Sequence, residues 1–206
     1  LLIEEEDSNG FSVTNSLTLL PVNNKIISLP GESIQVVGVI NEAFGNNVLK
    51  ASAKIVLDNN SYNIDALEGK FNITITLAKN IKSGKHIIEL SAVDSKGNFG
   101  ASSIELEVTT VPNYIKTFLN EDKSLPGSKI EILPSIYDQA DDLINASLDL
   151  ELASPSGNKI FRKVVQSNVK IIYEFSQYAE PGSYLLASSY KNLLAQNLIN
   201  ITAIRE

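Results

Sequence analysis

Along this 206-residue chain apolar residues recur mostly at every second position, in short runs closed by Asn, Asp, Gly and Pro. Phe71, Ile73, Ile75 and Leu77 alternate with Asn72, Thr74 and Thr76, which places the two sets on opposite faces of a strand. The same reading predicts strands over Ser33–Ile40, Ala51–Leu57, Phe71–Leu77, His86–Val93 and Ser102–Val108. Further along it predicts Lys129–Tyr137, Ala146–Leu152, Lys159–Val165, Val169–Phe175, Tyr184–Tyr190 and Asn197–Ile204. Ser16–Val22 and Tyr114–Leu119 can each supply one more. Turns are expected at Asp58-Asn59-Asn60, Leu67-Glu68-Gly69, Asp94–Asn98, Ser154–Gly157 and Glu180-Pro181-Gly182, where the residue types tolerate positive φ or bond their own backbone. Helix is scarce. Tyr190–Leu198, which Ser189 is placed to cap, is too short to count as one and reads as a turn between two strands. The strand count and turn spacing are those of antiparallel two-sheet sandwiches.

The chain also repeats itself. Ser28-Leu29-Pro30-Gly31 recurs as Ser124-Leu125-Pro126-Gly127, and Ile34 as Ile130, at an offset of 96. Ala51-Ser52 matches Ala146-Ser147, and Gly84-Lys85-His86-Ile87-Ile88 resembles Gly182-Ser183-Tyr184-Leu185-Leu186. Three correspondences in order, at nearly constant spacing, predict two homologous domains, a period well above that of solenoid repeats. Pro112 cannot donate to a sheet ladder, so the boundary is expected at Thr109–Asn113. The expected domains are residues 16–110 and 114–206, and Leu1–Asn15 is an arm without a counterpart in the second copy.

Composition narrows the function. Apolar residues make up 43% and charged residues 20%, enough for packed cores. A net charge of -7, with Arg162-Lys163 the only adjacent basic pair, argues against nucleic acid as a partner. The absence of Cys removes disulfides, thiolate metal sites and cysteine nucleophiles. A single histidine, His86, with no Gly-x-Ser-x-Gly elbow beside it, leaves little for acid–base or triad catalysis, so the chain is not expected to be an enzyme. No apolar run approaches the ~20 residues that span a bilayer. Leu1 in place of Met, and no Met anywhere, suggest a removed signal peptide or an excised fragment.

The arm holds Leu1, Leu2 and Ile3, then Glu4-Glu5-Glu6-Asp7, a Ser8-Asn9-Gly10 turn, and Phe11 and Val13 alternating with Ser12 and Thr14. Such a segment is expected to add a strand to its own domain or to the edge of a neighbouring molecule. Gly84–Val93, followed by Asp94–Asn98 and the alternating Ser102, Ile104, Leu106 and Val108, resembles the last hairpin of immunoglobulin-like modules in prokaryotic surface proteins. Glu180–Tyr184 is similar to that hairpin's entry. With the arm and the Asn/Ser-rich surface, the whole resembles the subunits of archaeal surface threads. That resemblance implies an all-β fold of two tandem immunoglobulin-like antiparallel β-sandwich domains with an extra N-terminal β-strand arm. It also implies a glycosylated, pilus-like filament assembled head to tail from identical subunits by donor-strand complementation. Mapped onto this chain, the donor side chains are Leu1, Ile3, Phe11 and Val13, filling pockets left by a missing strand. The protein is then expected to be extracellular, at the cell surface.

Asn-x-Ser/Thr sequons stand at Asn59, Asn72, Asn145 and Asn200, and their places in turns or opposite apolar sets make all four expected to face solvent and accept N-glycans. Asp138, Asp141 and Asp142 cluster in a loop but lack the EF-hand spacing and the 6–8 oxygens a hard cation needs, so a solvated loop is expected and no metal or cofactor. Lys54, Lys129 and Lys170 lie in strands and are the candidates for Lys–Asn isopeptide bonds of the kind found in immunoglobulin-like pilins. The alternative to a filament subunit is a tandem stalk or adhesin module whose loops bind glycan or protein.

Overall fold

A computed structural model describes residues 16–42 and 45–203. The expected arm strand, Leu1–Asn15, lies outside these residues. The described residues are all-β and form two units, one comprising residues up to Ala78 with Gly84–Val108, the other Lys79–Ser83 with Thr109 onward. No helix among them is long and apolar enough to cross a membrane.

The first unit contains β1 (Leu17–Pro21), β2 (Lys25–Ser28), β3 (Ser33–Glu42), β4 (Lys50–Leu57), β5 (Asn60–Leu67), β6 (Lys70–Thr76), β7 (Gly84–Asp94) and β8 (Phe99–Val108). Their order is β1-β3-β6-β5-β4-β7-β8-β2. β5 and β6 pair only at Leu67↔Lys70, so the ladder folds there into two layers, β1-β3-β6 and β5-β4-β7-β8-β2. Alternate residues meet between the layers: Val36, Ile40 and Ile75 from one, Ile55, Ile88 and Leu106 from the other, all buried. β2 runs parallel to β8.

The second unit repeats this plan with β9 (Pro112–Leu119), β10 (Lys123–Ser124), β11 (Lys129–Asp138), β12 (Leu143–Ile144), β13 (Ser147–Ala153), β14 (Lys159–Gln166), β15 (Ile171–Glu174), β16 (Gly182–Tyr190) and β17 (Leu193–Ile201). One sheet is β10-β17-β16-β13-β14, the other has β11 paired with β9, β12 and β15. Ile130, Ile132 and Ile136 face Leu148, Leu150, Leu152 and Leu186 across its core. β10 is parallel to β17, as β2 is to β8. Each unit is an immunoglobulin-like antiparallel sandwich with the same strand order, apart from the two-residue β12, whose place in the first unit is taken by the single Asn41–Asn47 bridge. Tyr184, near the start of β16, is buried and its hydroxyl donates to the Glu180 carbonyl at 3.0 Å, the tyrosine corner of such sandwiches.

The structure corrects several sequence expectations. β2, β5, β10 and β12 appear where no strand was expected, because each is short or lies at a sheet edge, where few side chains are buried. β17 begins at Leu193 and ends at Ile201 instead of spanning Asn197–Ile204, because Lys191, with φ of 51°, lets a two-residue turn close the hairpin. The repeated Ser-Leu-Pro-Gly is a turn in both copies. Glu32 N–H donates to the Leu29 carbonyl and Ser128 N–H to that of Leu125, and Gly31 and Gly127 both have φ of 80°.

Candidate interaction surface

Donor-strand residues Leu1, Ile3, Phe11 and Val13 lie outside the described residues. Of the sequons, Asn59, Asn72 and Asn145 are exposed, whereas Asn200 is half-buried and its Oδ1 accepts a hydrogen bond from Ser183 Oγ at 2.6 Å. His86 Nδ1 lies 3.0 Å from Asp58 Oδ1, a carboxylate on the turn between β4 and β5. Lys54 is exposed, and Lys129 and Lys170 pair with Glu174 at 3.4 Å and Glu131 at 2.7 Å on the outer face of β11 and β15. These are solvated ammonium groups.

Asp138 is buried, unlike Asp141 and Asp142, and its carboxylate is occupied by its own surroundings. Oδ1 accepts from the Ala140 and Asp142 N–H groups at 2.8 and 3.0 Å, and Oδ2 from Ser83 Oγ at 2.6 Å. Burial raises its pKa, but these hydrogen bonds outweigh burial and hold it below the ordinary carboxylate range. No group of three or more His, Cys, Asp or Glu among the described residues is arranged to hold a metal ion.

A strand donated to this fold needs an open edge. The last-strand position is filled in both units: β8 lies between β7 and β2, and β17 between β16 and β10. The arm thus finds no slot of an absent last strand among the described residues. The two copies differ where the chain crosses from one sheet to the other. In the first, the Glu68-Gly69 turn joins β5 to β6 and pairs them at their ends. In the second, Ser167–Lys170 separates β14 from β15, and the two do not pair.

That crossing is built into the core. Ser167 Oγ accepts the Ile136 N–H at 2.9 Å, and the Asn168 N–H donates to the Pro134 carbonyl at 2.8 Å, with Asn168 held at φ of 60°. Between the edges lies a groove of ≈ 510 Å³, lined by Lys163–Gln166 and Val169–Ile172. Val164 is 63% exposed, Val169 51% and Ile172 62%, so apolar side chains line an edge that carries unpaired backbone groups. From Lys159 to Ile172 there are four basic residues and no acidic one. Lys159 and Arg162 reach Glu151 and Asp149 on β13 at 2.9 and 3.3 Å, while Lys163 lies exposed beside the groove. The sequence showed this edge only as the Arg162-Lys163 pair. Its meaning depends on β14 being last in its sheet, which residue order does not reveal.

No family model matches the chain, and no curated protein matches it significantly. Solved structures similar to it include an amphioxus IgVJ-C2 molecule, with 14% identity over 86% of this chain and 100% of that one and a TM-score of 0.40. A 1.5-MDa bacterial ice-binding adhesin is 11% identical over 91% of this chain and 65% of its own, with a TM-score of 0.39. The Yersinia pseudotuberculosis adhesin InvE is 14% identical over 93% of this chain and 60% of its own, with a TM-score of 0.40. The chain is similar to all three, and its fold assignment rests on the strand order described above.

Proposed function

We propose that this chain is a structural subunit of an extracellular surface filament, assembled head to tail from identical copies, in which the N-terminal arm adds a strand to another copy. One observation carries the reading: residues 17–108 hold a sandwich of the same strand order as residues 112–201, which have no arm. The arm is therefore surplus to its own unit, yet its apolar alternation suits a strand. A contact between unlike surfaces need not close, and so propagates. The subunit has no chemistry of its own in this reading, and the exposed Asn59, Asn72 and Asn145 are acceptors for N-glycans in a glycosylating host.

The test is removal of residues 1–15, with size-exclusion, light scattering and negative-stain imaging of both forms. The full chain is expected to polymerise and the shortened chain to remain a folded monomer. Polymers from the shortened chain, or a full chain that stays at 22.4 kDa, would overturn the proposal. A second reading, a stalk or adhesin module that binds glycan or protein, is favoured by the outer face of β9 and β11. There Tyr114 and Tyr137 stack at 5.0 Å and the Lys116 ammonium lies 4.4 Å above the half-exposed Phe118 ring. It predicts a monodisperse monomer with a saturable ligand.

A further inference from the structure

We infer that the acceptor for the arm is the β14–β15 edge of the second unit, so that Leu1–Asn15 of one copy lies along β14 of another; this rests on the filament reading above. β14 ends its sheet, and among the described residues no strand pairs its outer side. The equivalent gap in the first unit is drawn together by the Glu68-Gly69 turn. In the second copy the groove along β14 and β15 stays open, and its lining includes Val164, Val169 and Ile172, each more than half exposed.

Length and charge point to the arm as the occupant. Fifteen extended residues reach about 50 Å, whereas an eight-residue strand such as β14 needs about 26 Å, so the arm can pair along the whole edge and still leave a tether. Four acidic residues and no basic one lie in the arm, facing four basic residues and no acidic one between Lys159 and Ile172. In a chain of net charge -7 this basic segment stands out. A strand along β14 turns every second side chain toward the groove, which suits an arm whose apolar residues alternate with polar ones at Phe11–Thr14. Glu4–Asp7 then meets the rim at Lys163, beside Arg162 and Lys170, which also pair with Asp149 and Glu131.

The chain has no Cys, so paired cysteines report the contact directly. In the full chain, Ile3→Cys or Val13→Cys is combined with Val164→Cys or Ile172→Cys, and Leu194→Cys, 62% exposed on β17, serves as the control. Under mild oxidation with diamide, at least one Val164 or Ile172 pair is expected to yield tenfold more intermolecular disulfide than its Leu194 control. Reversing Arg162 and Lys163 to Glu is expected to lower polymer yield about tenfold, and Glu4→Lys with Glu5→Lys in the same chain to restore it. Melting curves confirm that each variant is folded. Arm-dependent filaments that cross-link no better than the control and ignore the charge reversal would overturn this acceptor and leave the filament reading standing. Cross-links within single chains would show the arm folding back and overturn both. Chains that never polymerise, with or without the arm, would remove the filament reading and this inference with it.

Discussion

Thr117 Oγ1 and Ser188 Oγ lie 2.7 Å apart in the interior of the second sandwich, joining β9 of one sheet to β16 of the other. Both residues are buried, Ser188 completely. Each hydroxyl is the other's partner, and a buried hydroxyl without one retains its full desolvation cost.

Ser188→Ala should therefore destabilise the second unit by about 1–2 kcal/mol, since it strands the Thr117 hydroxyl. Thr117→Val with Ser188→Ala should cost less than the sum of the two single changes, because no polar atom is left unmatched. Urea unfolding of the four proteins measures this coupling. Strictly additive losses would mean that the two hydroxyls do not depend on each other.

Acid should weaken the fold through two carboxylates. Burial opposes ionisation of Asp94, but hydrogen bonds from the Asn98 side chain and from the Asn98 and Lys96 N–H groups, at 2.7, 2.9 and 2.8 Å, hold its pKa below the ordinary value. Asp138 is held down in the same direction by Ser83, Ala140 and Asp142. A pKa depressed by folding contributes stability that is complete above the unfolded value, about 4, and is lost as pH falls through the folded value. The melting temperature should change little through these two groups between about pH 7 and 5 and fall below about pH 4. Asp94→Asn and Asp138→Asn should flatten the acid limb while lowering stability at neutral pH. A melting temperature that rises on acidification below pH 4 would contradict the assignment.

Much of this architecture is legible in the residues, for physical reasons that also explain what is not. Strands buried on one face, such as β6 with Phe71 and Ile75, carry a period of two. β5 has one fully buried residue, Ala66, and its Asn60, Ser61, Asn63 and Asp65 read as loop. β10 and β12, with two residues each, are too short to show any period. Asp138, Asp141 and Asp142 look alike in sequence, yet only Asp138 turns into its own loop, where it caps two N–H groups. The open edge at β14 was hidden for a different reason. It is a property of strand order and of what fails to pair, and neither is local in the chain.

The repeated turn allows a paired test. Pro30 and Pro126 supply the fixed φ of the first central position, and Gly31 and Gly127, both at φ of 80°, occupy the second. That is the type II arrangement, in which a side chain at the second position strains the backbone. Gly31→Ala and Gly127→Ala should each cost about 1 kcal/mol, and Gly→Asn at either site less, since Asn tolerates the left-handed region. A Cβ at Gly127 would also stand 3.3 Å from Gln177 Cγ, so the second substitution should be slightly the more costly unless that flexible side chain withdraws. The two turns share no partner, and their effects should add within a few tenths of a kcal/mol in the double variant. Denaturant melts of the four proteins check this. A neutral Gly31→Ala beside a costly Gly127→Ala would show that the two copies no longer need the same turn, and that the shared signature has outlived its structural reason in the first.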